Sequence, residues 1–241
     1  MAYVFSLPFN ELNLNDILLG VISAAFGFYL LVILLILKNT KFPVWINRKI
    51  GHFLGGTFIA FIVFQFSSLS GIVFAVGLFI ILFVIFLICS NGKLLTEYFM
   101  FNFRENEKDH TFLINTISTL FVLLVILLIF YDHPAVFVAG ALVISWGDTF
   151  GEVIGKTLPF VKYRIFCDKS VSGTIGVFIF SFLSFISAII LYEVHFSIKA
   201  FWICILGSFT CALIESASWK WFDNIVLPPI GSLFMWWIIT I

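Results

Sequence analysis

Residues 71–90 read GIVFAVGLFIILFVIFLICS, a run with no charged side chain. A helix rises about 1.5 Å per residue, so about 20 such residues match a hydrocarbon core about 30 Å thick. Comparable apolar runs, separated by polar breaks, fall at 17–37, 51–67, 71–90, 111–130, 135–155, 173–191, 199–218 and 225–241. They predict an all-α, polytopic integral membrane bundle of about eight transmembrane helices, forming a single transmembrane domain over residues 1–241. Two of the breaks, Ser67-Ser68 with Ser70-Gly71 and Asp132-His133-Pro134, are short enough for tight helical hairpins.

Composition points the same way. Of 241 residues 62% are hydrophobic, 33 are Phe and only 11% are charged. A soluble domain carries about 25% charged residues, so this chain lacks the polar surface to cover itself in water. A formal net charge of zero offers no basic face to a nucleic acid. Cys89, Cys167, Cys204 and Cys211 form no CxxC pair, which argues against a zinc site or a disulfide framework. The opening residues MAYVFSLPFNELNLND contain no Lys or Arg, so the first helix reads as a retained span, not a cleaved signal. The longest polar stretch, 91–110, is mixed in charge and reads as a solvated loop.

Numbering the connections alternately separates the basic residues. One side receives Lys38, Lys41, Arg48, Lys49, Lys93, Arg104, Lys108, Lys156, Lys162, Arg164, Lys169 and Lys220, and the other receives only Lys199. The positive-inside rule then predicts that the first side is cytoplasmic and both termini are not.

Four polar clusters stand out against this background. The first, Asn47-Arg48-Lys49-Ile50-Gly51-His52, lies at the mouth of the second helix. Arg48 and His52 share a helical face. A snorkelling anchor accounts for Arg48 and Lys49 but not for His52, one turn deeper. The alternative is a cation pair with a histidine holding phosphate oxygens or an anionic head group.

The second cluster, residues 145–156, carries two stripes at helical spacing. Gly147, Gly151 and Gly155 let another helix approach closely, within the chain or between chains of a homo-oligomer. Beside them run Asp148, Glu152 and Lys156. Charged groups cost roughly 2.5–3.5 kcal/mol each at a bilayer centre. Either they form an ion ladder at a helix end, or the two acids hold a hard divalent cation. Gly151-x-x-x-Gly155-Lys156-Thr157 falls one residue short of a phosphate-binding P-loop, and no strand precedes it.

The third cluster, Asp168-Lys169-Ser170-Val171-Ser172-Gly173-Thr174, leads into an apolar helix. Free N–H groups and the dipole at such a helix start attract anions, and Lys169 adds a full charge. A plain N-cap would account for Ser172 or Thr174 alone. The fourth places Glu215 within the seventh helix and Asp223-Asn224 ahead of Leu227-Pro228-Pro229. An intramembrane Glu is functional by default, or it is paired, here with Lys220 or Arg48. Tyr192-Glu193-Val194-His195 falls on the other side and reads as a solvated turn.

In this order the clusters resemble the membrane family containing dolichol kinase, phytol kinase and the yeast CTP-dependent diacylglycerol kinase, distantly similar to phosphatidate cytidylyltransferase. The matching pieces are R-K-x-x-H at Arg48, Lys49 and His52, G-D at Gly147-Asp148, K-S-x-x-G-[ST] at Lys169, Ser170, Gly173 and Thr174, and Glu215 followed by D-N-x-x-x-P at Asp223, Asn224 and Pro228. They span about 48–229. Family kinases often carry an aromatic residue and an acid where this chain has Val171-Ser172, and the cytidylyltransferase signature H-G-G with D-R-x-D is absent.

The resemblance implies a CTP-dependent kinase that phosphorylates a lipid alcohol in the bilayer, such as dolichol, phytol or geranylgeraniol, in a cell or endoplasmic-reticulum membrane. Asp148, with Glu152, would hold Mg²⁺. Lys49, Lys156, Lys169, Ser170, Ser172, Gly173, Thr174 and Asn224 would bind the nucleotide phosphates. Arg48 and His52 would neutralise developing charge, and Glu215 or Asp223 would orient the alcohol. A cytidylyltransferase making a CDP-activated lipid is the alternative within the same chemistry. A non-enzymatic lipid transporter or flippase is the alternative of another class, and it would spread its charges across the bilayer.

Overall fold

The protein is described by a computed structural model over residues 11–38, 40, 43–89, 109–219 and 222–241. Lys41, Lys93, Arg104, Lys108, Lys220 and nearly all of the 91–110 stretch lie outside the described residues. The helices are α1 (Leu14–Lys38), α2 (Val44–Ile62), α3 (Leu69–Cys89), α4 (Asp109–Ile129), α5 (Pro134–Leu142), α6 (Thr149–Thr157), α7 (Val171–Leu191), α8 (Ile198–Ala217) and α9 (Asp223–Thr240). A π-helical segment, Val143–Asp148, joins α5 to α6, so the three form one continuous rod. The one departure from all-α structure among the described residues is an antiparallel hairpin, β1 (Lys162–Arg164) and β2 (Asp168–Ser170), with Tyr163 opposite Lys169.

Five stretches are long and apolar enough to cross a membrane: Leu14–Leu37, Leu69–Phe86, Pro134–Thr157, Val171–Leu191 and Ile198–Ala217. Large apolar side chains such as Val73, Ile80 and Ile88 on α3, and Ile175 and Ile179 on α7, are exposed. That is the surface of a helical membrane bundle, where lipid takes the place of water. The other three expected runs are helical as well. They carry polar groups in α2, an apolar part shortened to Ile117–Ile129 in α4, and Asp223, Asn224, Pro228 and Pro229 within the continuous helix α9.

The described residues fall into two compact units. In the first, α1 packs on α3. Gly20 and Gly27 make room for the rings of Phe74 and Phe79, since a Cβ at either glycine would lie within 2.7 Å of its ring. The polar break at Ser67-Ser68 has a task in this unit. Buried Asp16 accepts hydrogen bonds from the Ser67 N–H (2.8 Å), the Ser67 hydroxyl (2.7 Å) and the Ser68 hydroxyl (3.2 Å). A buried carboxylate so satisfied clasps the N-terminus of α1 to that of α3.

The second unit holds residues 48–60 of α2 and everything described from α4 onward. Its centre is the α5–π–α6 rod, where Val136, Phe137, Val138, Leu142 and Val143 are fully buried. The Gly147, Gly151 and Gly155 stripe faces α7 within the chain. A Cβ on Gly155 would lie 2.9 Å from Ser170 Oγ and 3.2 Å from Gly173 Cα. Gly173 answers from the other side, 3.0 Å from the Gly151 carbonyl by the same measure. Gly173→Val is therefore expected to cost about 1–3 kcal/mol through overpacking, read as a lower unfolding midpoint in detergent. An unchanged midpoint would mean that α6 and α7 are not this close.

Candidate active site

α2 begins earlier than the apolar run suggested, after Pro43, so Arg48, Lys49 and His52 sit on regular helix. The π segment binds to this helix through its own polar groups. Ser145 Oγ donates toward the carbonyls of His52 (3.2 Å) and Phe53 (3.0 Å), and Trp146 Nε1 donates to Thr57 Oγ1 (2.8 Å). A π turn re-aims the side chains that follow it and is frequent at functional sites. Here it delivers Asp148 and Glu152 against the cations of α2.

Lys49, only 3% exposed, donates to Asp148 Oδ2 at 2.5 Å and lies 2.9 Å from Glu152 Oε2. Arg48 Nη2 reaches both Glu152 oxygens, at 3.1 and 2.9 Å, and Lys156 Nζ adds a third cation at 2.6 Å. His52 Nε2 is 3.2 Å from the Ile144 carbonyl, which requires a proton on that nitrogen, and 3.7 Å from Asp148 Oδ2. The spacing of Asp148, Glu152 and Lys156 thus forms a ladder, extended by Arg48 and Lys49 from another helix. Glu152, expected beside Asp148 on a metal, is instead held among three cations.

The acids that do gather are Asp148, Glu215 and Asp223, from the π segment, α8 and α9. All three are buried, with one carboxylate oxygen from each within 4.8 Å of the others. Lys49 pairs with Asp148 and Lys169 pairs with Glu215. Among the described residues Asp223 makes no ion pair. Three carboxylates this close repel one another, and a cation placed between them would relieve that repulsion. Their hard oxygens suit a divalent ion such as magnesium.

Lys169 comes from β2, outside the spanning helices. Burial acts to lower its pKa, but the carboxylates of Glu215, Asp223 and Asp148 together hold the ammonium above its usual value. Sequence reading paired Glu215 with Arg48 or Lys220, whereas the hairpin brings it Lys169. Ser170, not Ser172 or Thr174, is the N-cap of α7, accepting from the Gly173 N–H at 3.2 Å. Ser172 Oγ accepts from the Phe160 N–H at 3.2 Å and lies 3.1 Å from Ser170 Oγ. Thr174 Oγ1 is 2.5 Å from the Tyr163 hydroxyl.

These groups line a cavity of about 440 Å³. Its wall includes Asp148, Glu152, Lys156, Lys169, Ser170, Gly173, Thr174, Glu215 and Asp223. Arg48, Lys49 and His52 stand behind, paired with the acids rather than lining the space, and Asn224 is buried beside Asp223. Lys162 and Ser218 also line it and were not singled out in the sequence. Lys162 could have been noticed as a basic residue six positions from Lys156, in the connection leading to Lys169. No known family model, no characterised protein and no solved structure matches this chain.

Proposed function

We propose that the protein is a CTP-dependent lipid-alcohol kinase, phosphorylating a polyprenol such as dolichol, or phytol or geranylgeraniol. The observation that carries the reading is the buried trio Asp148, Glu215 and Asp223 in a cavity that also presents Lys156, Lys162 and Lys169. Acids and cations around one space at the ends of membrane helices suit a metal–triphosphate meeting a lipid hydroxyl. The ordered clusters resembling the dolichol and phytol kinases supply CTP as the donor.

Phosphoryl transfer depends mostly on positioning and charge neutralisation. Magnesium favours one or two carboxylates together with substrate phosphates, so Asp148 and Glu215 would hold it. When bound, it would neutralise the charge on the phosphate oxygens. Lys156, Lys162 and Lys169 hold the triphosphate, and the dipole at the start of α7 favours its negative charge. Asp223, without an ion pair among the described residues, orients the alcohol and takes its proton. The new bond joins the alcohol oxygen to the γ-phosphorus, and the bond from that phosphorus to the bridging oxygen breaks, releasing CDP. Arg48 and Lys49 act through the acids, pairing with Glu152 and Asp148 and aiming them, and His52 stands beside Asp148.

In this reading all eight long helical rods cross the bilayer, the cavity opens on the cytoplasmic side and both termini lie outside. The crowding of Lys and Arg on one set of connections supports that orientation. Lys169→Ala is expected to raise the KM for CTP about tenfold or more, as loss of one charge-assisted phosphate contact of about 1.5–3 kcal/mol would. Steady-state kinetics in detergent micelles measure it, and an unchanged KM and kcat would remove Lys169 from the cradle. Cytidylyl transfer is separated by its products, since it would release pyrophosphate instead of CDP.

A further inference from the structure

Segment 158–170 joins two rods that are each long and apolar enough to cross a bilayer, Pro134–Thr157 and Val171–Leu191. Connectivity therefore keeps it at a membrane surface. The segment is two-faced. Lys162, Lys169 and Ser170 line the cavity. Leu158, Phe160, Val161, Ile165 and Phe166 are left between 54% and 70% exposed. The fold enforces this arrangement with strain, because Val161 holds a φ of 44°, seldom adopted by a β-branched residue. Its carbonyl accepts the Val171 N–H at 3.0 Å, tying the base of the hairpin to the start of α7. Such strain persists where surrounding contacts over-determine it and clusters at functional sites.

Five large apolar side chains interleaved with Lys162 and Arg164 match the layer where acyl chains meet phosphates. We propose that this hairpin is a lipid-seated port. Its apolar face lies in the head-group–acyl boundary, and its polar face guides the head-group end of a bilayer lipid into the cavity. The identity of that lipid as an alcohol acceptor rests on the kinase reading; the seating does not.

The test uses the full chain in phosphatidylcholine–phosphatidylglycerol liposomes. A polarity-sensitive fluorophore is attached at Ile165→Cys or at Lys162→Cys, with Cys89→Ser and Cys167→Ser removing competing thiols. The label at 165 is expected to shift to the blue and to be quenched by a spin label high on the acyl chain, but not by aqueous iodide. The label at 162 is expected to respond to iodide. Quenching of the 165 label by iodide as in free dye would overturn the seating. So would its shielding from both quenchers, which would mean a protein partner or a second copy covers the face. In turnover, Ile165→Asp together with Phe166→Asp is expected to raise the KM for the lipid alcohol about tenfold with the KM for CTP unchanged, and an unchanged lipid KM would overturn the port. If the unaltered protein phosphorylates no lipid alcohol, the kinase reading fails, and quenching alone decides the seating.

Discussion

Asp148→Asn is expected to lower the rate of magnesium-dependent phosphoryl transfer from CTP by about 10³-fold or more. Charge stabilisation at a bound metal contributes several kcal/mol, and about 4 kcal/mol corresponds to three decades of rate. Asp148 is the acid shared by both halves of the site: it accepts from Lys49 at 2.5 Å and stands with Glu215 and Asp223. Asn keeps the shape and one oxygen for Lys49, so the loss should fall on turnover more than on folding. The measurement is kcat at saturating CTP, alongside the unfolding midpoint in detergent. Turnover within tenfold of the parent would exclude Asp148 from the metal site.

Lys49→Met is expected to be the most destabilising single change in the cluster, by about 3–5 kcal/mol, the usual cost of removing one partner of a buried ion pair. Lys49 is nearly inaccessible and bridges Asp148 and Glu152. Its loss leaves Asp148 without a Lys or Arg partner in an ion pair among the described residues, the His52 imidazole standing 3.7 Å away, while Glu152 keeps Arg48 and Lys156. Adding Asp148→Asn should recover part of the lost stability, because the two residues are coupled. A Lys49→Met midpoint equal to that of the parent would mean that the pair is not formed.

Much of the bundle is legible in residues such as 71–90, because a long uncharged run admits few structures other than a membrane helix. The start of α2 was harder to place, since Asn47-Arg48-Lys49 looks like the end of a polar connection. These residues stay in the helix because their charges are matched from far along the chain, Arg48 by Glu152 and Lys49 by Asp148. No local pattern encodes pairings 104 and 99 residues apart. The pairing of Lys169 with Glu215, 46 residues apart, has no local signature for the same reason. The hairpin escaped notice because two three-residue strands carry too little periodicity to register, and the π turn because it departs from the 3.6-residue repeat used to find helices.

The site residues fared differently according to their chemistry. Four-residue spacing found the Asp148, Glu152 and Lys156 ladder, since neighbours on one helix face are fixed by geometry. It could not say which acid meets Glu215 and Asp223, because that depends on how α9 packs against the rod and α8 against α7 and α9. Spacing alone groups Glu152 with Asp148, whereas the fold pairs Glu152 with Arg48, Lys49 and Lys156 and sets Asp148 with Glu215 and Asp223. Lys49, expected on phosphate, pairs with Asp148 and Glu152 and does not line the cavity.

The most direct measurement follows the γ-phosphorus. Purified protein is incubated with magnesium, a lipid alcohol and CTP labelled on its γ-phosphate. The account predicts that the label passes to the lipid phase as a lipid monophosphate while unlabelled CDP is released. Label appearing in pyrophosphate, or remaining in CTP across a panel of lipid alcohols, would contradict it.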